Sequence, residues 1–597
     1  MTRLRIAIGL TLLLATSGVA DAQLIKKVGL NNDSPLNGGF PINNDVSTPS
    51  INNLGDVVFG DSNGLYLGDL NEVSGAYNLY SLRQHGDFAP TEPTSPGGSP
   101  PSSYFAHFNH PASGTRSPLI NDTGTVAFTS YAGGLGGLGS WTINGGSALI
   151  AHQSQLLNAR HNPALNPADP AYSTYQRSAS NPTYHLRLNA SGHSLVNGNQ
   201  STIITNAFGP TEMIASSGPP APGTGYSFDA FYDASLSDSR QVAFVGRSGG
   251  LTGIWKTDAV GNMSLVALEG QTAPGPSPTT RIDYIYESFN QSYNPLDMNA
   301  AGDLAFTARL HDSSTGTYSY SILTDRSGTL ESVVSSGDAA PTGTFTNVWN
   351  NGAAINNAGD IAFVGSTNSG DSGGVFISDS GGAVSAVLSA GQQLRTTTGS
   401  QTSFDYARSG LSLNNNGQVA LLADVNVSSY ALVATDPLGQ SLSIVHGGET
   451  VIVDGAGKQV RTDQYGIELA RQESAGTGGG APMILNDVGE IAYKLTFTDG
   501  SRGIFVADTS HVLVDSPTGS ANVHLDDGST RWTSSVVVGG DNMGYVDQRL
   551  GTVVTTVQDA VIAREFGSQG DYTLSDAGTV WDVNGSMYIG GDQTGAG

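Results

Sequence analysis

The chain has 597 residues, of which 79 are glycine and only 13% are charged, whereas about 25% is usual for globular proteins, so the composition indicates many turns. The 25 basic and 51 acidic residues give a formal net charge of -26, and a surface of this sign repels nucleic acid and anionic lipid, which excludes both as partners. The absence of cysteine excludes disulfides, thiolate metal sites and thiol nucleophiles.

Residues 1–22 have the pattern of a secretory signal peptide. A basic start is followed by an apolar run from Ile6 to Ala15 and by the small-x-small cleavage site Ala20-Asp21-Ala22. We expect cleavage before Gln23; the alternative is an uncleaved anchor. No later stretch approaches the roughly 18 apolar residues of a membrane helix. The sequence therefore predicts an exported bacterial protein, secreted or on the cell surface, with no transmembrane segment in the mature chain.

A motif Asn-x-x-Gly-x-(Val/Ile/Leu)-Ala-Phe recurs through most of the chain. Its Asn can close an Asx-turn and its Gly supplies the left-handed backbone of a tight hairpin turn, so each copy predicts a turn that leads into a strand. In that strand the large side chains point to one face and the alanine to the other, and stacked sheets would bury both. The four close copies are Asn52 to Phe59, Asn121 to Phe128, Asn299 to Phe306 and Asn356 to Phe363; the weaker copies begin at Asn189, Ser237, Asn414 and Asn486.

Each motif is followed by three further predicted strands. The second begins with Gly and an aromatic residue, as in Gly253-Ile254-Trp255, and ends at an Asp such as Asp258, shortly before a Gly. Eight units of four antiparallel strands, without a convincing helix, predict an all-β chain folded as a β-propeller of about eight blades. An open solenoid or a pair of β-sandwiches is the competing architecture, which we disfavour because a closed ring leaves fewer free sheet edges.

The number of blades depends on how the ends of the repeat region are interpreted. Residues 28–50 can supply the missing strand of the last blade, which gives eight. If the weak copy at Asn189 or Ser237 is an insertion, the number is seven.

The pattern changes from about Ser516 onwards, where short strands recur at regular spacing with Gly-Asp turns. This pattern resembles the β-solenoids of autotransporter-like passenger regions. We therefore divide the chain into a signal peptide at 1–22, a propeller at 23–515 and solenoid repeats at 516–597. Because the last repeat stops without a capping element, we expect the sequence to be truncated at Gly597.

The motif copies resemble a family of exported bacterial proteins with tandem NxxGxxAF repeats and varied C-terminal anchoring segments. The resemblance covers roughly residues 50–510. It implies a surface or extracellular repeat protein without an established enzymatic activity. The chain departs from the family's habit because it has no recognisable C-terminal anchor helix.

Three patterns mimic catalytic or metal sites. The run Gly370-Asp371-Ser372-Gly373-Gly374 matches a protease nucleophile turn, but it falls in a loop between the first two strands of a unit, with no strand-to-helix elbow. His107 and His110 would lie on opposite faces of a strand and so would not share a metal. The acidic turn Asp526-Asp527-Gly528 matches no calcium-loop spacing. We expect no cofactor, with Ca²⁺ the only one left open.

Functional residues are more easily found where the repeat is broken, because whatever recurs in every unit serves the fold. One break is rich in aromatic residues next to polar ones, and tyrosine faces there can stack on sugar rings; the alternative is packing at a strand edge. The candidate ligand-contact residues are Tyr284, Tyr286, Phe289 and Tyr293. The other breaks are the Pro-rich loop 90–103 and the insertion 160–185.

Two functions from different classes follow from these observations. The first is an exported, non-catalytic surface or extracellular protein that uses its propeller as an adhesion or ligand-binding scaffold, with an extracellular glycan or a surface protein as its partner. The second is a propeller enzyme, a lyase or glycosidase, that acts on extracellular polysaccharide with residues in the central funnel. We favour the first because no break in the repeat combines carboxylates, His and Arg, and we assign no catalytic residue.

Overall fold

The computed structural model describes residues 25–589 apart from short loops and five longer segments at 90–103, 109–116, 153–184, 286–295 and 470–483. The described secondary structure consists of strands only. Eight successive sheets are followed by sheets of parallel strands. The eight are antiparallel, except that in the seventh Arg395 and Thr396 pair in parallel with Leu442 and Ser443. The chain is an all-β protein, a β-propeller with eight blades in its described part and a β-solenoid after it.

Each blade has four main strands, here lettered A to D in sheet order, and the motif turn joins strand A to strand B. The first two blades contain β2 (Ser50–Ile51), β3 (Val57–Gly60), β4 (Gly64–Leu70) and β5 (Tyr77–Gln84), then β6 (Tyr104–His107) with β7 (Leu119–Ile120), β8 (Val126–Gly133), β9 (Gly137–Asn144) and β10 (Gly146–His152). The next two contain β11 (His185–Leu188), β12 (His193–Gly198), β13 (Ser201–Asn206) and β14 (Thr211–Ser216), then β15 (Phe228–Leu236), β16 (Val242–Ser248), β17 (Leu251–Thr257) and β18 (Met263–Leu268).

The second half of the ring repeats this order. Blades 5 and 6 contain β19 (Thr280–Ile285) with β20 (Leu296–Met298), β21 (Leu304–Asp312), β22 (Thr317–Thr324) and β23 (Glu331–Ser335), then β24 (Phe345–Ile355), β25 (Ile361–Thr367), β26 (Gly374–Ser378) and β27 (Val384–Leu388). Blades 7 and 8 contain β28 (Gln393–Thr396), β29 (Gln401–Leu413), β30 (Val419–Val425), β31 (Ser429–Thr435) and β32 (Ser441–His446), then β33 (Thr450–Ile452), β34 (Gln459–Leu469), β35 (Glu490–Phe497) and β36 (Arg502–Asp508).

The two faces of the motif strand differ in side-chain size where the motif keeps its alanine, as predicted. Phe363 packs in the core between blades 5 and 6, whereas its neighbour Ala362 packs in the core between blades 6 and 7. At the seam between the first and last blades, Phe59 of blade 1 lies in one cluster with Ala492 of blade 8. Burial of each ring contributes about 1.5–3 kcal/mol by transfer from water, so the stacked faces stabilise the ring.

The N-terminal strand β1 (Ile25–Leu30) completes the last blade. It pairs antiparallel with β36, with Ile25 opposite Ala507 and Leu30 opposite Gly503. The first strand of the described chain is therefore strand D of blade 8. The prediction that an N-terminal segment supplies this strand is confirmed, although the strand begins earlier than Val28.

The solenoid stacks three columns of parallel strands. The columns are β37 (His511–Val514), β40 (Ser535–Val538), β43 (Ala560–Ile562) and β46 (Met587–Ile589); β38 (Ser520–Leu525), β41 (Met543–Gln548) and β44 (Gln569–Leu574); and β39 (Thr530–Thr533), β42 (Val553–Thr556) and β45 (Val580–Val583). Its first strand begins at His511, slightly before the boundary expected at 516. Leu438, in the C–D turn of blade 7, packs against Val536 and Val538, so the solenoid contacts the propeller at the end that carries the motif turns.

Candidate ligand-binding face

The propeller has two different ends. The A–B motif turns and the C–D turns lie at one end, here called the motif face. The B–C hairpins and the D-to-A connections lie at the other, here called the upper face. The two ends carry different kinds of side chain.

The motif face is held by a ring of asparagine side chains. Asn121 accepts the backbone N–H groups of Thr123 and Thr125 through Oδ1, and through Nδ2 it donates to the carbonyl of Asn189 in the next blade. The ring closes where Asn486 Nδ2 donates to the carbonyl of Asn52 at 2.9 Å, between residues 434 positions apart. In seven of the eight blades the asparagine that forms the turn also donates to the next blade, so this end of the molecule is used for the fold.

A second layer of contacts surrounds the asparagine ring. Asp122 accepts the backbone N–H of Asn53 at 2.7 Å, and Asp238 accepts that of Ala190 at 2.9 Å. Burial raises the pKa of both carboxyl groups, and the neighbouring Asp487 raises that of Asp122 further. Each of these carboxylates thus already accepts a hydrogen bond from the preceding blade. No group of three or more His, Cys, Asp or Glu in the described chain is arranged to hold a metal ion.

Inner strands of neighbouring blades bring three charged residues together in the interior. Arg187 Nη2 contacts Asp233 Oδ1 at 3.1 Å, and both side chains are buried. Asp297 is fully buried, accepts the Ile355 N–H at 2.9 Å through Oδ2, and has no hydrogen-bond partner for Oδ1. Burial raises the pKa of Asp297 to about 8. This cluster is out of reach of a large ligand.

The exposed aromatic side chains lie at the upper face. Tyr226 packs against Gly249 of a B–C hairpin, and Tyr318 lies opposite His311 near the end of its hairpin. The other exposed aromatic residues of the described propeller also belong to this end: Phe40 beside the B–C loop of blade 1, Tyr104 at the start of β6, and Tyr465 in the upper part of β34. The exposed large apolar residues in turns of the motif face are aliphatic.

Blade 5 carries one polar aromatic cluster at the upper face, here called row 5. Tyr284, Arg309 and Tyr320 lie directly opposite one another on strands A, B and C. Arg309 is held by Asp283, with Nη2 at 2.6 Å from Oδ2, and its guanidinium lies 5.2 Å from the ring centre of Tyr318. Tyr318 stacks on His311 and is 59% exposed, so its ring is available to a ligand.

Blade 7 carries a second cluster of the same construction, here called row 7. Tyr406, Asp424 and Tyr430 lie opposite one another on strands A, B and C. Arg408 Nη1 contacts Asp424 at 3.2 Å and its guanidinium lies 4.4 Å from the ring centre of Tyr430. A hydrogen bond to Asp424 raises the pKa of Tyr406, with burial adding to it. Tyr465 of blade 8 meets Tyr430 edge-on at 4.9 Å and is 53% exposed.

The two rows occupy the same position in their blades. Arg309 and Asp424 are each the tenth residue after the motif asparagine of their unit. Among the described residues, only these two blades combine a charged residue there with a tyrosine on each neighbouring strand; blade 6 has Ser366 opposite Asn347, and blade 4 has Arg247 opposite Ala230. A charge at this one repeat position was the sequence signal for the rows, and it was missed.

The structure describes one of the four predicted ligand-contact residues. Tyr284 lies in row 5, within cation–π distance of Arg309 at 5.7 Å. Tyr286, Phe289 and Tyr293 lie outside the described residues, between β19 and β20.

The structure describes only part of the rejected catalytic and metal motifs. Thr367 ends β25 and Gly374 begins β26, so the Gly370 to Gly374 run does connect the first two strands after a motif turn; its Asp371 and Ser372 lie outside the described residues. His110 and the Asp526-Asp527-Gly528 turn also lie outside them. No helix in the described chain is long and apolar enough to cross a membrane.

A family model covers most of the propeller. The model of a family of unknown function, DUF7453, matches residues 51–514. The chain belongs to this family. The matched span runs from the inner strand of blade 1 to the first strand of the solenoid, so it covers the ring apart from β1 and also includes β37. No curated protein matches the chain in sequence.

Solved structures are similar to the chain at low identity. A protein from Lactobacillus plantarum is 12% identical with a TM-score of 0.29, and the alignment covers 66% of this chain and 95% of that one. Porphyromonas gingivalis dipeptidyl peptidase 4 is 9% identical with a TM-score of 0.34, covering 76% and 58%. An ancestral GH74 enzyme is 10% identical with a TM-score of 0.30, covering 74% and 53%. For the peptidase and the GH74 enzyme, the alignment spans little more than half of their length.

Proposed function

We propose that this protein is an exported, non-catalytic scaffold that binds an extracellular glycan through the upper face of its propeller. The observation that carries the proposal is that all five exposed aromatic side chains of the described propeller lie at this face. Exposed tyrosines gathered on one face are costly to leave in water, and they are typical of binding surfaces.

The chemistry of the two rows suits a sugar. A pyranose ring has an apolar C–H face, which packs on an aromatic ring, and a rim of hydroxyl groups that both donate and accept hydrogen bonds. Row 5 and row 7 each place an arginine and a carboxylate beside tyrosines. Because each pair is already held in place, the donors and acceptors lose little freedom when a ligand binds.

The contacts at the motif face also favour the upper face as the binding surface. The motif turns hydrogen-bond one another from blade to blade, and the solenoid packs on blade 7 at that end. The upper face is the end that is left for a partner.

The test uses the mature chain from Gln23 onwards with soluble polysaccharides: laminarin, xylan, hydroxyethylcellulose, alginate and pectin, with and without EDTA. Retention and chain shortening are measured in the same samples. We expect retention of at least one polysaccharide without shortening. Shortening would overturn the non-catalytic assignment in favour of a lyase or glycosidase, and the absence of retention on every polysaccharide would overturn glycan binding.

A further inference from the structure

We infer that row 5 and row 7 are two subsites for one extended, neutral polysaccharide chain. The inference rests on the proposed function and adds to it the class of glycan and the way in which it is held.

The two rows have the same chemical inventory. Each has a tyrosine on strand A, a charged residue on strand B and a tyrosine on strand C at the same repeat position. The charges are exchanged: Arg309 is on strand B and Asp283 on strand A in row 5, whereas Asp424 is on strand B and Arg408 on strand A in row 7. Each row therefore offers one guanidinium, one carboxylate and aromatic rings, and we expect both rows to take the same kind of ligand.

The charges point to a neutral ligand. In each row the arginine is neutralised by its own carboxylate, with contacts of 2.6 and 3.2 Å. The whole chain carries a net charge of -26, so its field repels a polyanion on approach. An uncharged polysaccharide is not repelled by this field and does not need an unpaired arginine.

The separation of the rows points to an extended ligand. Tyr320 packs in the core between blades 5 and 6, whereas Tyr430 packs in the core between blades 7 and 8. The rows thus open from two clefts that are two blades apart, roughly 20 Å at about 10 Å between stacked sheets. One sugar cannot contact both rows, but a chain can. When two linked sites hold one ligand, the affinity exceeds that of either site by roughly 10²–10⁴.

The experiment compares polymers with their own disaccharides on the full mature chain. The pairs are laminarin with laminaribiose, xylan with xylobiose, and hydroxyethylcellulose with cellobiose; alginate is the anionic polymer. The variants are Tyr318→Ala in row 5, Tyr465→Ala on blade 8 against Tyr430 of row 7, and both together. Tyr226→Ala is the matched control, because Tyr226 is equally exposed on the same face but lies in a blade without such a row. Circular dichroism and thermal melting verify that each variant is folded.

For the polymer that binds, we expect each single variant to lose on the order of 10²-fold in affinity, because binding through two sites becomes binding through one. Equilibrium dialysis should count two disaccharides per wild-type chain, one per single variant and none for the double variant. Tyr226→Ala should keep two disaccharides per chain and should lose much less polymer affinity than either row variant, and alginate should bind more weakly than the neutral polymer.

Several outcomes would overturn the inference while leaving glycan binding intact. The first two are one disaccharide per wild-type chain and equal losses of polymer and disaccharide affinity in the single variants. The others are a loss of polymer affinity in Tyr226→Ala as large as in the row variants and tighter binding of alginate than of any neutral polymer. If wild type binds no polysaccharide and no disaccharide, the proposed function itself fails.

Discussion

The hydrogen bonds of the motif asparagine explain why this residue recurs in the motif turns. Asn414 accepts the N–H groups of Asn416 and Gln418 through Oδ1 and donates to the carbonyl of Asn486 in the next blade through Nδ2. A serine hydroxyl can accept in the same way, but serine has no side-chain amide to make the second hydrogen bond. In blade 4, Ser237 accepts the N–H of Gln241, and the link to blade 5 is made by other side chains.

The buried carboxyl of Asp297 predicts how stability depends on pH. Burial raises its pKa from 3.8 to about 8 in the folded protein, so the folded state holds this proton more tightly than the unfolded state. The stability that the group contributes is fully present below about pH 4 and is lost as the pH rises to about 8, by about 1.4 kcal/mol per pH unit. Asp297→Asn keeps an acceptor for the Ile355 N–H and has no carboxyl proton to lose as the pH rises.

We therefore expect Asp297→Asn to gain stability relative to wild type as the pH rises from 5 to 8, by an amount on the order of a few kcal/mol. Urea unfolding of both proteins at several pH values measures the difference. The control is Asp229→Asn, which makes the same change at an exposed position and should follow wild type across the range. A difference between Asp297→Asn and wild type that does not change with pH would contradict the assignment of a buried, protonated carboxyl.

At the scale of the strand, the sequence predicted what repeats and missed what depends on pairing. The turn and the alternation of Phe363 and Ala362 can be read along one strand, because side-chain direction has a period of two residues. The two rows cannot be read along one strand, because they depend on the pairing register of three strands. A bulge between Ile282 and Tyr284 shifts the pairing and brings Tyr284 opposite Arg309. Spacing along the chain does not reveal such a shift.

The interior charges were missed for a related reason. Arg187, Asp233 and Asp297 come from the three consecutive blades 3, 4 and 5, and only the stacking of these blades brings them together. The predicted ligand contacts were placed by composition alone, and of these Tyr284 lies in a row while the others lie outside the described residues. The search for breaks in the repeat did not use the position ten residues after the motif asparagine, which holds the strand-B residue of both rows.

The junction between blades 4 and 5 contains a largely buried ion pair. Here no asparagine links the turns, and Lys256 on β17 instead pairs with Asp325 and donates to the carbonyl of Gly302 at 3.0 Å. Asp325 is largely buried, so Lys256→Met would leave its charge without this partner. We expect a loss of about 2 kcal/mol or more in the free energy of unfolding, measured by urea denaturation.

The matched control for Lys256 is Lys27→Met. Lys27 pairs with Asp33 at 3.1 Å, but about a third of each side chain is exposed. An exposed pair contributes about 0–1 kcal/mol, so this variant should remain close to wild type. Equal losses in the two variants would mean that Lys256 is not a special link between blades.

For the whole molecule, ring closure joins the two ends of the propeller sequence. β1 pairs with β36, and Val28 packs in the seam with Phe59 of blade 1 and Ile504 of blade 8. Each blade is buried on both faces by its neighbours, and stacked repeats of this kind gain their stability from the contacts between them. Opening the seam between blades 1 and 8 therefore exposes one face of each of these blades and removes a contact on which the stability of the whole ring depends.

Val28→Asp tests this closure, because Val28 is only 3% exposed and a buried, unpaired charge costs several kcal/mol. We expect a lower melting temperature for the propeller as a whole, measured by calorimetry, with faster proteolysis between residues 25 and 50. Val260→Asp makes the same change in a C–D turn where the side chain is 84% exposed, and it should melt like wild type. If the two variants melt alike, β1 does not close the ring. If Val28→Asp melts in two steps while Val260→Asp melts in one, blade 8 unfolds separately and the seam does not couple the blades.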